Sequence, residues 1–374
     1  MSNWLSVMTL GVLMSLNLAA TAPVNGATAE PDGFRRALPG YRFEFPRDHA
    51  NHPAYKTEWW YYTGHLGSTS GENFGYQLTF FRVGVRPKRA PGRSPWRIRD
   101  LHMAHLAITE LNPPRFTFFE RLARGDVGLA QSDNKGYLVF NGNWEVKGGD
   151  AAHHLVARQG GWGLDLRARS RKTPVIHGTG GVSRKGDCEG CASHYYSLTR
   201  MATEGELLVG GRRVAVRGES WMDHEFGSGQ AGPDLAGWDW FSVQLSNGSE
   251  LMVYRLRGRK GQTLPASSGT YVAANGTTTH LKQNDIQLQA LEEWRSPHSQ
   301  ARYPTRWRME VPRLKLTMQV KPVVADCELR TPGSTQETYW EGPVGYSGTQ
   351  GDRTVTGRGY VELTGYAGAF RARL

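Results

Sequence analysis

TEWWYYTGHL at residues 57–66 and GWDWFSVQL at 237–245 write one pattern twice in a chain of 374 residues. Superposing them pairs Trp59 with Trp238, Tyr61 with Trp240, Tyr62 with Phe241 and Leu66 with Leu245, every pair 179 residues apart, as 238 is from 59. A second echo sets VRGESWMD against VTGRGYVE 139 residues later, pairing Val216 with Val355, Gly218 with Gly357, Trp221 with Tyr360 and Asp223 with Glu362. Recurrence at a fixed offset is the mark of duplication. It predicts two halves, each opening and closing on a strand that carries large aromatics. Length agrees, because at about 150 residues per domain the chain makes two domains.

Two-residue alternation of apolar and polar side chains recurs along the chain, whereas a sustained 3.6-residue period is almost absent. Leu164, Leu166 and Ala168 alternate with Asp165, Arg167 and Arg169, and Tyr76, Leu78 and Phe80 alternate with Gln77 and Thr79. These are half-buried strands. Asn247-Gly248, Asn275-Gly276 and Gly210-Gly211 sit between such runs as hairpin turns. An all-β architecture follows, either a sandwich or an up-and-down barrel, and an eight-stranded barrel has room for one small ligand among its inward side chains. GSGQAGPDLAG, residues 227–237, is the linker, which places the domains at 41–228 and 237–374.

Residues 1–29 begin with an uncharged apolar run from Trp4 to about Leu18 and end in small residues with two A-x-A sequences. That is the form of a secretory signal peptide, cleaved after Ala29, and the run is short of the ~20 residues that span a bilayer. Export to the periplasm or beyond is the expectation. With 45 Lys plus Arg against 34 Asp plus Glu the net charge is +11. An exported chain of that charge meets anionic membrane surfaces or cell-wall polymers before nucleic acid, although scattered basic residues also serve as a solvated surface. The densest basic run, Arg82 to Arg99, is rich in Pro and Gly and reads as a loop. Of three cysteines, Cys188 and Cys191 form a C-x-x-C within GDCEGCAS, read as a small loop-closing disulfide, and Cys327 is left over. No second ligand pair accompanies them, so no metal is expected, nor any cofactor.

The densest ionisable cluster is GESWMDHEFGSG, with Asp223, His224 and Glu225 consecutive. On a strand Trp221, Asp223 and Glu225 share one face and Met222, His224 and Phe226 the other. Burial of such carboxyls keeps them protonated for donation, and the competing reading is a set of structural ion pairs with arginine. Asp239 stands beside Trp238 and Trp240 but faces away from them on a regular strand. His102 and His105, three apart, point to opposite sides of theirs, and either is a core histidine unless a cavity meets it. Glu58, beside Trp59, is a candidate cavity carboxylate, and Tyr195 and Tyr196 add hydroxyls near the cysteine pair. The candidate catalytic set is therefore Asp223, His224, Glu225 and Asp239, and the candidate ligand-binding set is Glu58, Trp59, Tyr61, His105, Tyr196, Trp221, Trp238 and Trp240. Serine-hydrolase elbow, P-loop, dinucleotide fingerprint and H-E-x-x-H are all missing from the sequence.

FPRDHANHPAYKTEWWYYTGHL, HMAHLAITEL, SHYYSLTRM, WMDHEFG, GWDWFSVQL, YWEGPV and GRGYVELTGY together resemble the AttH/CrtC-like family over residues 41–366. That family includes carotenoid 1,2-hydratases, also called hydroxyneurosporene synthases, and exported bacterial proteins labelled predicted secreted hydrolases. The resemblance implies two consecutive lipocalin-like β-barrels. It also implies one of two functions. The first is binding of a lipophilic ligand, isoprenoid or other lipid, with an envelope transporter as a candidate partner. The second is a hydro-lyase that adds water to a terminal alkene by acid catalysis, for which a desolvated acid, an aromatic box and a positioned water are required. Acids converging inside an aromatic pocket would favour the enzyme, and a wide apolar cavity without them the carrier.

Overall fold

The computed structural model describes residues 33–368, apart from 86–97, 126, 134–135, 151, 230–231 and 233. The leader-like segment and most of the basic run lie outside the described residues. Arg82 itself is not in a loop: it is buried within a strand.

Two antiparallel sheets account for the fold. The first is built from β1 (Thr57–Ser68), β2 (Asn73–Gly84), β3 (Asp100–Leu111), β4 (Pro114–Arg124), β5 (Ala130–Ser132), β6 (Tyr137–Asn141), β7 (Trp144–Gly148), β8 (His153–Gln159), β9 (Trp162–Ser170), β10 (Val175–Ile176), β11 (Ser183–Arg184), β12 (Ala192–Val209) and β13 (Arg212–Gly227). The second takes β14 (Leu235–Leu245), β15 (Glu250–Gly258), β16 (Ser268–Val272), β17 (Thr278–Lys282), β18 (Gln287–Arg295), β19 (Arg302–Val311), β20 (Leu316–Pro322), β21 (Glu328–Arg330), β22 (Thr338–Gln350) and β23 (Arg353–Leu363). Strand order is β4-β3-β2-β1-β13-β12-β9-β8-β7-β6-β5 in the first sheet and β17-β16-β15-β14-β23-β22-β20-β19-β18 in the second. Each sheet curls into a near-closed barrel, and β4 comes round to touch β6. Among the described residues the only helices are three single 3-10 turns, and none is long and apolar enough to cross a membrane.

The two halves share one topology. In both, the first strand pairs with the last, β1 with β13 and β14 with β23. The sequence echoes fall into register on this frame: Tyr61 lies opposite Asp223, and its counterpart Trp240 lies opposite Glu362. On the next strands Ser197 pairs with Asp223 and Glu341 with Glu362.

Alternation along these strands divides the side chains between two compartments. Trp60, Tyr62 and Leu66 of β1 point into the first barrel with Trp144, Leu166, Tyr196 and Met222. Phe241, Val243, Trp307 and Trp340 fill the second. The opposite faces of the same strands, with Tyr61, Tyr195, Trp221, Trp240, Tyr254 and Tyr360, pack barrel against barrel. Removing a side chain of this size from water contributes about 1.5–3 kcal/mol. The ligand space that the sequence suggests inside a barrel is therefore packed, and the cavity lined by the aromatic strands lies between the barrels instead.

The docking is polar as well as apolar. Glu250 of the second barrel accepts from Arg200 Nε and Lys172 Nζ of the first, each at 2.6 Å. Gln244 Nε2 donates to the Thr199 carbonyl at 2.8 Å, and His65 Nε2 donates to that of Gly359 at 2.8 Å. Gly75 of β2 lies against Tyr360 and Pro343, where a Cβ would collide with the Tyr360 hydroxyl and stand 3.1 Å from Pro343 Cγ. Overpacking of this kind costs about 1–3 kcal/mol. Gly75→Val is expected to lower the unfolding free energy by that amount, read as a lower urea midpoint, and an unchanged midpoint would show that the docked face yields freely.

Candidate functional site

β1, β2, β12 and β13 supply one wall of the interdomain cavity, and β14, β15, β22 and β23 the other. It encloses about 400 Å³. Trp59, Tyr61, Phe81 and Tyr195 from the first barrel meet Trp238, Trp240, Tyr254, Leu256 and Tyr339 from the second. Asp223, Glu225, Glu341 and Glu362 belong to this lining, with Glu58 and Glu337 as its two further carboxyls.

Asp223 is 4% exposed. Its carboxylate accepts from Tyr195 Oη at 2.5 Å, from Trp221 Nε1 at 2.7 Å and from the Ser197 hydroxyl. Burial pushes its pKa up to about 7, the three donors oppose that rise and the Glu225 charge adds to it. Glu362 accepts from Trp238 Nε1 at 2.9 Å and is likewise pushed up to about 7, by burial first and then by the charges of Glu225 and Asp223. Glu341, its cross-strand neighbour, takes a 2.5 Å hydrogen bond from Tyr61 Oη across the domain boundary. Burial and the Glu362 charge hold Glu341 well above the usual carboxylate range. The cavity therefore holds three carboxyls, Asp223, Glu362 and Glu341, whose hold on a proton is raised above the usual carboxylate range. The duplication shows again in the cross-boundary contacts. Trp240 Nε1 donates to Tyr195 Oη at 3.0 Å, as its counterpart Tyr61 donates to Glu341.

Glu225 is paired differently. It accepts from Ser193 and lies 3.0 Å from Lys185 Nζ, which also sits over the Tyr254 ring at 4.2 Å. Burial pulls the Lys185 ammonium down, but the charge and hydrogen bond of Glu225, with Tyr254 and Asp223, together more than offset it and raise its pKa. Cys188 and Cys191 are joined in a disulfide, and the small loop it closes returns to donate and accept beside Lys185, whose N–H reaches the Cys191 carbonyl at 2.8 Å. Cys327 is a free, buried thiol. On the far wall a hydrogen-bonded chain runs from Tyr339 Oη to His105 Nδ1 at 2.8 Å, from His105 Nε2 to Ser334 Oγ at 2.9 Å, and from Ser334 to Glu120 at 2.5 Å. Burial holds His105 neutral, with a pKa lowered to about 3.

Of the residues singled out in the sequence, Asp223, Glu225, Trp59, Tyr61, His105, Trp238 and Trp240 line the cavity, and Trp221 stands behind Asp223 as a donor. Three others do not belong there. His224 projects into the first barrel, where its Nε2 meets Glu58 at 2.9 Å, its Nδ1 meets Tyr196 Oη at 3.1 Å, and Tyr196 in turn meets His49 Nδ1 at 2.7 Å. Tyr196 is thus a core residue, and its neighbour Tyr195 is the one at the cavity. Asp239 is fully buried on the inner side of β14, with Arg255 at 2.6 Å, Arg257 at 3.2 Å and Tyr366 Oη at 2.8 Å. It is an ion-pair centre of the second barrel, because strand alternation turns it away from Trp238 and Trp240.

Glu58 reaches the cavity's edge, but its carboxylate serves the first barrel, bound by His52 Nδ1 at 2.7 Å, His224 and Arg82 Nε at 3.2 Å. His52, Glu58 and His224 bring one donor atom each within 4.8 Å, the composition of a metal site. The hydrogen bonds among them and the Arg82 guanidinium on the same carboxylate satisfy the set without an ion. Burial works against a charge on His52, yet the Glu58 charge raises its pKa. Glu341, Glu362, Lys185 and Tyr339 were missed in the sequence, although the 139-residue echo already set Glu362 against Asp223.

A carboxyl whose pKa is raised on folding binds a proton more tightly in the folded chain. Its stabilising contribution is present below the unfolded value and is lost as pH rises towards the folded one. For Glu362 that window runs from about 4.5 to about 7. Glu362→Gln should therefore be more stable than the parent at pH 8, on the order of 3 kcal/mol in urea unfolding, with the advantage down to under about 1 kcal/mol at pH 5. A constant difference across that range would mean Glu362 is not held protonated.

The profile of the AttH-like family matches residues 36–366. A candidate AttH from Nitrosomonas europaea, known from a crystal structure, is 30% identical, with 89% of this chain and 100% of that one covered at a TM-score of 0.80. Kievitone hydratase from Nectria haematococca shares the fold at 16% identity and a TM-score of 0.65 over 90% of this chain and 98% of that one. CghA solved with Sch210972 does so at 12% identity and 0.54, over 91% and 98%. No curated protein matches the sequence. On the profile and on the 30% identical relative, which is covered along its whole length, the chain belongs to the AttH-like family.

Proposed function

We propose that this chain binds an apolar, alkene-bearing ligand of the isoprenoid type in the interdomain cavity and adds water to it by acid catalysis. The observation that carries this reading is the convergence of Asp223, Glu341 and Glu362, all with raised pKa values, on a cavity walled by indole and phenol rings. A carrier of a neutral lipid would have the aromatic wall but no use for buried carboxyls, each of which weakens the fold at neutral pH. Kievitone hydratase, a fold neighbour, is by its name a hydratase. The leader-like residues 1–29 make export, and action outside the cytoplasm, part of the same proposal.

In the proposed reaction the Asp223 carboxyl gives its proton to the terminal alkene carbon. A C–H bond forms as the π bond breaks, leaving a cation on the more substituted carbon. The faces of Trp59, Trp238 and Trp240 stabilise that cation. Water attacks it to form the C–O bond, and the proton released goes to the Glu362 carboxylate, close enough to feel the Asp223 charge. Return of that proton to Asp223 completes the cycle, and the net change is one water added. Tyr195, Ser197 and Trp221 hold the Asp223 carboxylate formed in the first step, while Lys185 is the ion-pair partner of Glu225.

The test is incubation with a panel of terminally unsaturated isoprenoids in ¹⁸O-labelled water, read by mass spectrometry. One labelled water should be gained per product. Asp223→Asn should lower turnover by at least about 100-fold, the scale of a lost general acid, with binding retained by tryptophan quenching. Trp238→Ala should weaken that binding by about 2 kcal/mol, as loss of a buried aromatic anchor does. Quenching without labelled product from any member of the panel would favour the carrier.

A further inference from the structure

Away from the cavity, at the other end of β1 and β13, the outer face of the first barrel carries a row of cationic side chains in cross-strand register. Lys147 pairs with His154, His154 with Arg167, Arg167 with Glu204, and Glu204 with Arg217. Arg169 lies next along β9, Arg171 just beyond its end, and Arg358 of β23 extends the face onto the second barrel. Six Lys and Arg thus share this shallow concave surface with two acids, Glu204 and Glu219. Glu219 is already engaged by Arg200 at 2.9 Å and Arg358 at 3.2 Å. Arg167, Arg169, Arg171 and Arg217 are exposed and have no carboxylate within ion-pairing distance among the described residues.

Glu204 lies between Arg167 and Arg217 and Glu219 is already engaged, so six cations share a face with a single acid left to offset them, and an array this one-sided wants an external anion. Five successive strands at about 4.8 Å spacing make it about 20 Å wide. That is a broad face and not a groove, and the one phenylalanine in its lining, Phe74, is buried and offers no platform on which single-stranded bases could stack. We propose that this face docks the protein on an anionic lipid bilayer, the Arg167, Arg169, Arg171 and Arg217 guanidiniums meeting headgroup phosphates. The inference is independent of the chemistry assigned to the cavity, which lies at the opposite end of the same strands.

The experiment is co-flotation of the full chain with vesicles of phosphatidylcholine alone or with about 30 mol% of the anionic lipid phosphatidylglycerol, whose surface attracts basic side chains. Binding should appear with the anionic vesicles only and weaken steeply between 50 and 300 mM salt, over which the screening length shortens roughly 2.5-fold. Arg167→Glu with Arg217→Glu should lower the affinity at least about tenfold, on a scale near fivefold for each cation removed. Arg302→Glu with Arg306→Glu, the same charge change on β19 of the second barrel, should alter it by no more than about twofold. Equal binding to neutral vesicles, equal loss in both double variants, or binding to soluble polyphosphate without binding to anionic vesicles would each overturn the assignment. Circular dichroism of both variants keeps a folding defect from passing as a docking defect.

Discussion

Everything in this molecule depends on strands that are buried on both faces. β1, β13, β14 and β23 each send alternate side chains into a barrel and the remainder into the junction between barrels. That is why TEWWYYTGHL is aromatic at consecutive positions and not at every second one. Trp60 and Tyr62 are core, Trp59 and Tyr61 are cavity wall, and a one-residue slip would exchange them. The first and last strands of each half carry this double duty because they pair with each other and face the other barrel.

The junction is also where the electrostatics departs from the rest of the chain. Most buried charges are matched, as in the Asp239 set with two arginines or the Glu58 set with Arg82 and two histidines. Asp223, Glu341 and Glu362 are served by neutral donors instead, the phenols of Tyr195 and Tyr61 and the indoles of Trp221 and Trp238. Neutral donors orient a carboxyl without forcing it to ionise. The same burial therefore gives structural carboxylates in one compartment and titratable acids in the other.

Much of the fold was legible in the sequence, since both devices that specify it are local: two-residue alternation and the repeated aromatic strands. The site was legible in part. Asp223 and Glu225 stood out because they cluster, and alternation was enough to turn His224 and Asp239 away from Trp221 and Trp238. Glu341 was not readable, because its role depends on the β22–β23 register and on Tyr61 reaching across from the other half, 280 residues earlier. Lys185 was hidden for a similar reason: a short disulfide loop folds it back over Tyr254. Placing the ligand space inside a barrel failed on volume. The interiors are filled by their own tryptophans and tyrosines, and the second compartment exists only once two barrels meet.

The connection from β13 to β14 is short, Gly227 to Leu235, and both strands are cavity wall. The cavity is thus a seam between two self-supporting scaffolds, not a hollow within either one. For molecular evolution this separates two problems that most binding sites must solve together. A substitution at Leu256 reshapes one wall without touching the residues that hold Asp223, and changes at Trp59 or Phe81 do the converse, while the Trp240–Tyr195 and Tyr61–Glu341 bonds mark where the halves must change together. A duplicated barrel in this arrangement is free to vary its ligand one half at a time.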